Sequence, residues 1–206
     1  CIGSFSAMAS ILMRIGGTGL VFGGLCWAER VLLVPAMPSL FAPSPLLPLV
    51  SKLYGLVLGV NVVASSFMML YLSFIPGGAR KKYIEKAKKS GDENAEERFS
   101  LPKLYAEGFS QEAKEFNCHQ RAHQQALETY SNFVVCSLVG GIRQPLLTAL
   151  AGGLYIVARV KWAKGYCTGD PINRYKHSGG WGFHVWTSLL TVFICAASTA
   201  LGVAGF

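Results

Sequence analysis

Charge is scarce in this 206-residue chain. Asp, Glu, Lys and Arg make up 15% of it, against about 25% in soluble domains. Hydrophobic residues make up 51%, and the mean hydropathy is +0.38. That balance argues against an ordinary soluble domain and points to an all-α integral membrane protein. Acid is scarcer still, with 11 acidic residues against 19 Lys and Arg and a net charge of +8. In a membrane protein such an excess reports topology and contact with anionic lipid. No basic run is interleaved with aromatics, so nucleic acid is not an expected partner. Paired cysteine spacing is also missing. The six cysteines form neither a disulfide framework nor a zinc pattern, and those in apolar runs read as small hydrophobes. HQRAH at 119–123 has the spacing of a zinc HExxH helix but Gln in place of the Glu, so no metal is expected. The chain opens on Cys1 instead of Met, which leaves room for a cleaved targeting segment upstream.

Long apolar runs are what the chain has instead. A spanning helix needs about 20 apolar residues. Four runs qualify: about Leu53 to Phe74, Glu115 to Gly140, Pro145 to Tyr166, and Trp181 to Val203. The first is expected to end at Pro76-Gly77-Gly78, before the basic flank ARKKYIEKAKK. Residues 79–115 read as a polar connection, part surface helix and part loop. Gly140 to Pro145 reads as a tight turn, with Pro145 opening the next helix. CTGDPINRYKHSGG at 167–180 reads as a loop.

Residues 49–206 thus form a four-helix membrane domain, preceded by an extension over 1–48. The extension's apolar stretch, Ile11 to Val34, is interrupted by Arg14, Glu29 and Arg30 and followed by a proline-rich linker. It is open between an extra membrane helix, an interfacial helix and a partner-binding arm. Gly16, Gly17, Gly19, Gly23 and Gly24 would allow close helix packing there.

The second run begins with a polar stripe. Arg121, Gln125 and Glu128 stand at i, i+4 and i+7, on one helical face. Charge entering a membrane is costly and marks a functional site by default. Basic loops after the first and third runs share one membrane side, so this stripe meets the end of the third run. There stand Arg159, Trp162 and Tyr166, with Arg174 in the following loop. Arg, Gln, Glu and Tyr at a membrane mouth suit a small zwitterionic anion: Arg takes a carboxylate bidentately and Glu pairs with an ammonium. A second Arg beside a bound thiol favours its thiolate. A tripeptide thiol fits; an interhelical hydrogen-bond network fits the same residue types.

FNCHQRAHQQALETY at 116–130 and LYIVARVKWAKGYCTGDPINR at 154–174, with SKLYG at 51–55 and ARKKY at 79–83, resemble the membrane-associated eicosanoid and glutathione metabolism (MAPEG) family. The likeness covers about residues 51–190 and is nearest to the type-3 microsomal glutathione transferases. It implies a four-helix bundle assembled as a homotrimer, with glutathione as substrate held between subunits. The implied activity is conjugation to lipophilic electrophiles or reduction of lipid hydroperoxides, in the endoplasmic reticulum. By position it makes Arg121, Gln125, Glu128, Arg159, Trp162 and Tyr166 glutathione-binding residues and Arg174, or its neighbour Asn173, the thiolate-stabilising one. The family usually has Asn at Gln125 and Tyr at Trp162, and the type-3 proteins lack residues 1–48. Those departures motivate a second expectation: a non-catalytic structural subunit of a larger photosynthetic or respiratory complex, in a thylakoid or mitochondrial membrane.

Overall fold

The structure, a computed structural model, describes residues 21, 23–43 and 50–205. It is helical, with no β-strand among the described residues. Helix α1 covers 23–36, with a wider π turn at Glu29–Leu33; α2 is the short Pro38–Phe41. Helix α3 runs Tyr54–Lys89, α4 is Ala95–Phe99, and α5 is the 33-residue Gln111–Arg143. Helix α6 is Pro145–Tyr166, α7 is Asn173–Lys176, and α8 is Trp181–Val203. Three of these, α3, α6 and α8, are long and apolar enough to cross a membrane. Helix α5 is as long, but its N-terminal half carries the polar stripe. The stretch 11–20, with Gly16, Gly17 and Gly19, and the linker residues 44–49 lie outside the described residues.

The described residues fall into two compact units, and α3, α5, α6 and α8 each supply a segment to both. The first comprises the described parts of Cys1–Val63, Asn132–Leu154 and Trp186–Phe206. Its polar centre is Asn61, whose Nδ2 donates to Ser137 Oγ (2.9 Å) and to the Thr148 carbonyl (3.0 Å). Asn61 sits in a π-helical stretch of α3, Leu58–Ala64. A π turn carries one more residue per turn, which re-aims a side chain inside a helix. Gly152 on α6 admits the asparagine, since a Cβ there would collide with the Asn61 amide. Gly140 and Gly141 do not form the expected turn. Helix α5 continues to Arg143 and only Gln144 separates it from α6. The two glycines are close-approach sites instead. A Cβ on Gly140 would lie 2.6 Å from Cys195 Cβ, and one on Gly141 2.9 Å from Val57 Cγ2. Among the described residues, nothing lies within 4 Å of a Cβ position at Gly23 or Gly24.

The described part of the extension is anchored in this first unit. Buried Glu29 accepts the backbone N–H groups of Leu146 (Oε1, 3.0 Å) and Leu147 (Oε2, 2.9 Å). Those are N–H groups of the first turn of α6, which have no partner within the helix. A carboxylate there satisfies them and meets the positive end of the helix dipole. Close by, Cys26 and Cys195 place their sulfurs 3.6 Å apart. Glu29→Gln sets an amide N–H against one backbone donor. At about 1–2 kcal/mol for an unmade buried bond, the thermal midpoint in detergent should fall by roughly 3–6 °C. An unchanged midpoint would mean that the cap contributes nothing to stability.

The second unit comprises Ala64–Ser131 and Tyr155–Val185. Here α3 does not stop at Pro76 but continues to Lys89. Proline removes one helical hydrogen bond, and packing on the far side outweighs that loss. Ala79, Tyr83 and Ala87 enter an apolar cluster with Ala95, Phe99, Ala113 and Phe116. Arg80 adds two hydrogen bonds, to the carbonyls of Phe99 and Lys103 (both 2.6 Å), and lies 5.1 Å from the Phe116 ring centre. Much of the expected polar connection is therefore ordered helix.

Candidate functional site

The predicted site residues all lie in the second unit, on α5, α6 and the loop after α6. Arg121, Gln125 and Glu128 do share a face of α5. Arg121 forks onto Glu128, Nη1 to Oε1 at 2.6 Å and Nη2 to Oε2 at 3.2 Å. This ion pair is half exposed. Gln125, on the same face, is buried and accepts a hydrogen bond from Arg159 Nη1.

Arg159 on α6 is fully buried. Its Nη2 donates to Thr129 Oγ1 (2.9 Å) and to the Tyr155 hydroxyl (3.3 Å), and its guanidinium lies 5.1 and 5.4 Å from the ring centres of Tyr155 and Trp162. The i, i+3, i+7 stripe of α6 continues through Trp162 to Tyr166, whose rings are tilted at 4.7 Å. Arg159 Nε and Trp162 Nε1 are buried donors with no hydrogen bond among the described residues. Buried donors are ordinarily satisfied by protein, water or ligand, and both stand on the stripe that ends at Tyr166.

The loop after α6 returns to this stripe. Arg174 Nη1 donates to the Pro171 carbonyl (2.7 Å) and, more weakly, to the Tyr166 hydroxyl (3.4 Å). Its guanidinium lies 5.3 Å from the Tyr166 ring centre and 4.8 Å from that of Tyr175. Asn173, the neighbouring alternative, spends its amide on Thr168 Oγ1 (2.9 Å) within the loop. Gly165 permits the return, because a Cβ there would lie 2.8 Å from Arg174 Cα. Of the two candidates, Arg174 is the one beside Tyr166.

A cavity of about 470 Å³ opens between these elements, and Arg121 and Tyr166 both line it. So do Tyr105, Lys114, Asn117 and Cys118, which sequence reasoning did not assign to the site. The signal was available for three of them. Lys114, Asn117 and Cys118 precede Arg121 by seven, four and three residues and extend its face towards the N-terminus. Tyr105 had no such signal; it arrives on a loop. Asn117 holds that loop through both backbone groups of Ala106 (2.8 and 3.0 Å). Gln120 holds the Leu104 carbonyl (2.6 Å), and Tyr105 bonds Gln124. His119 bonds the Glu115 carbonyl through Nδ1 (2.8 Å) and packs edge-on to Tyr83.

Just past the end of α6, burial pushes the Cys167 thiol up to about 11. It stays protonated at neutral pH and is a poor nucleophile.

No solved structure matches the chain. The MAPEG family model matches residues 58–197, a stretch that holds every one of the predicted site residues. An all-helical fold with three helices long and apolar enough to cross a membrane agrees with that match, and the chain is an integral membrane protein that belongs to the MAPEG family.

Proposed function

We propose that this chain is a membrane glutathione transferase or peroxidase. The reading has α5 as a fourth spanning helix, beside α3, α6 and α8. The chain acts as a homotrimer in the endoplasmic reticulum or an organellar membrane. The observation that carries it is the cavity holding Arg121, Lys114 and Tyr166 next to a stripe with two unbonded buried donors. The family match supports it, as does the resemblance to type-3 microsomal glutathione transferases.

Each group then has a task. Arg121 and Glu128 exchange each other for the tripeptide, Arg121 taking a carboxylate and Glu128 the ammonium. Arg159 acts through Gln125, holding its amide in place; Tyr166 lines the thiol end and Trp162 packs against its ring. The Arg174 guanidinium favours the thiolate, which forms a carbon–sulfur bond to an electrophilic lipid as the leaving group departs. With a hydroperoxide, the thiolate breaks the O–O bond and the alcohol leaves. A second glutathione converts the sulfenic acid to glutathione disulfide and water.

Calorimetry on the detergent-purified protein tests this. Glutathione should bind, and Arg121→Ala should weaken it by roughly tenfold or more, the effect of one charge-assisted pair. Absence of binding by the unaltered protein, recovered as one copy within a larger membrane assembly, would overturn the reading in favour of a structural subunit.

A further inference from the structure

A second cavity, of about 490 Å³, lies where α6 ends and α8 begins, and shares no lining residue with the first. Lys161, Lys164, His177 and Trp181 line it, with Thr168 and Ser178. Neither lysine makes an ion pair among the described residues. Acid is nearly missing from this half of the chain. Residues 129–206 hold six Lys and Arg against a single carboxylate, Asp170, whose Oδ1 accepts the Ile172 N–H (3.2 Å). Nothing on the cavity wall competes for an anion.

Its place on the helices narrows the anion. The wall is built from the last turns of one membrane-crossing helix and the first residue of another, which is the height of lipid headgroups. Trp181 is exposed there, and Lys161 Nζ is held 4.4 Å from its ring centre, which keeps that ammonium at the cavity instead of free in solvent. Phe183, 56% exposed, follows at the start of α8, stacked on Tyr175 at 4.5 Å. Cationic groups at headgroup height, with the Trp181 ring on the same wall and exposed Phe183 two residues on, match a molecule with a charged head and an apolar tail.

We infer that this cavity binds the phosphate of an anionic membrane phospholipid, with Lys161 and Lys164 as the charge contacts. Ser178 shapes the wall without spending itself on the ligand. Its Oγ donates to the Tyr175 carbonyl (2.8 Å) and accepts the Gly182 N–H (2.9 Å). The inference stands on membrane insertion alone and is independent of glutathione chemistry.

Native mass spectrometry of the detergent-solubilised protein reads it directly. The unaltered protein should retain phosphatidylglycerol in preference to phosphatidylcholine. The double variant Lys161→Gln/Lys164→Gln should weaken that retention by about thirtyfold, the effect of two basic residues at a membrane surface. Lys81→Gln/Lys82→Gln removes the same charge from the α3 flank and should cost retention far less, by a few-fold at most. Lys161→Arg/Lys164→Arg should keep it, and serves if the glutamine variant fails to fold. No preference in the unaltered protein, or equal loss in the flank variant, would overturn the site. Displacement of the lipid by glycerol phosphate at comparable concentration would show a free phosphate ligand and overturn the lipid.

Discussion

Gly165→Ala is expected to lower glutathione-dependent turnover by roughly tenfold to a hundredfold and to lower the thermal midpoint as well. The added Cβ would meet Asn173 and Arg174 through backbone atoms, with Arg174 Cα at 2.8 Å and the Asn173 carbonyl carbon at 2.9 Å. Backbone cannot rotate away as a side-chain tip can, so the loop must shift. Overpacking of this kind costs about 1–3 kcal/mol. A displacement near 1 Å of a positioned group costs about a hundredfold in rate. Gly153, on the same helix, is the control. A Cβ there meets nothing within 4 Å, so Gly153→Ala should be neutral or gain up to about 1 kcal/mol in helix propensity. If the two variants melt alike, the close approach of α6 and the loop is not real. Thermal unfolding reads that approach even if no turnover is found.

Arg174→Ala should act on the thiol and leave the fold intact. On the proposed reading, removing the guanidinium takes away the positive charge that favours thiolate, so a bound thiol would return towards about 8.5, where a free cysteine thiol titrates. The sign follows: the rate at pH 7 falls, by about tenfold to a hundredfold for one charge-assisted interaction, and recovers as pH rises towards 9. KM for glutathione should change less than kcat. Arg174→Lys keeps the charge but loses the planar Nη1 group that donates to both Pro171 and Tyr166, and should restore part of the rate. Asn173→Ala should leave the pH profile in place, since its amide serves Thr168. A pH–rate profile unchanged by Arg174→Ala would sink the assigned role.

The stripe Arg121, Gln125, Glu128 was legible because helical periodicity is local: residues four and seven apart share a face whatever surrounds the helix. The same arithmetic placed Arg159, Trp162 and Tyr166 together. It did not distinguish their depths. Arg121 and Glu128 are half exposed while Gln125 and Arg159 are buried against each other, and burial depends on which helix packs on which face. Tyr105 had no periodic relation to the site and was invisible until Asn117 and Gln120 fastened its loop to α5. Punctuation residues misled in both directions. Pro76 and Gly140–Gly141 read as stops, yet Pro76 lies within α3 because Tyr83 and Arg80 beyond it are held by Phe99 and Phe116. The glycines lie within α5 because Val57 and Cys195 need their missing side chains.

Composition and periodicity alone thus established a helical membrane protein, the limits of α6 and α8, and a polar face at the head of α5. These follow from chain-local quantities: apolar length, turn angle and charge count. Tertiary structure decided where α3 and α5 end, that Glu29 of the extension caps α6, and that Gln125 turns inward to Arg159. It also decided that Arg174, not Asn173, stands beside Tyr166, and that Lys161 and Lys164 face a cavity free of carboxylates. The helix ends, the Glu29 cap and the Gln125–Arg159 bond rest on contacts between residues distant in sequence, and the Arg174 and Lys161 placements on how the loop after α6 folds back, where packing and desolvation outweigh local propensity.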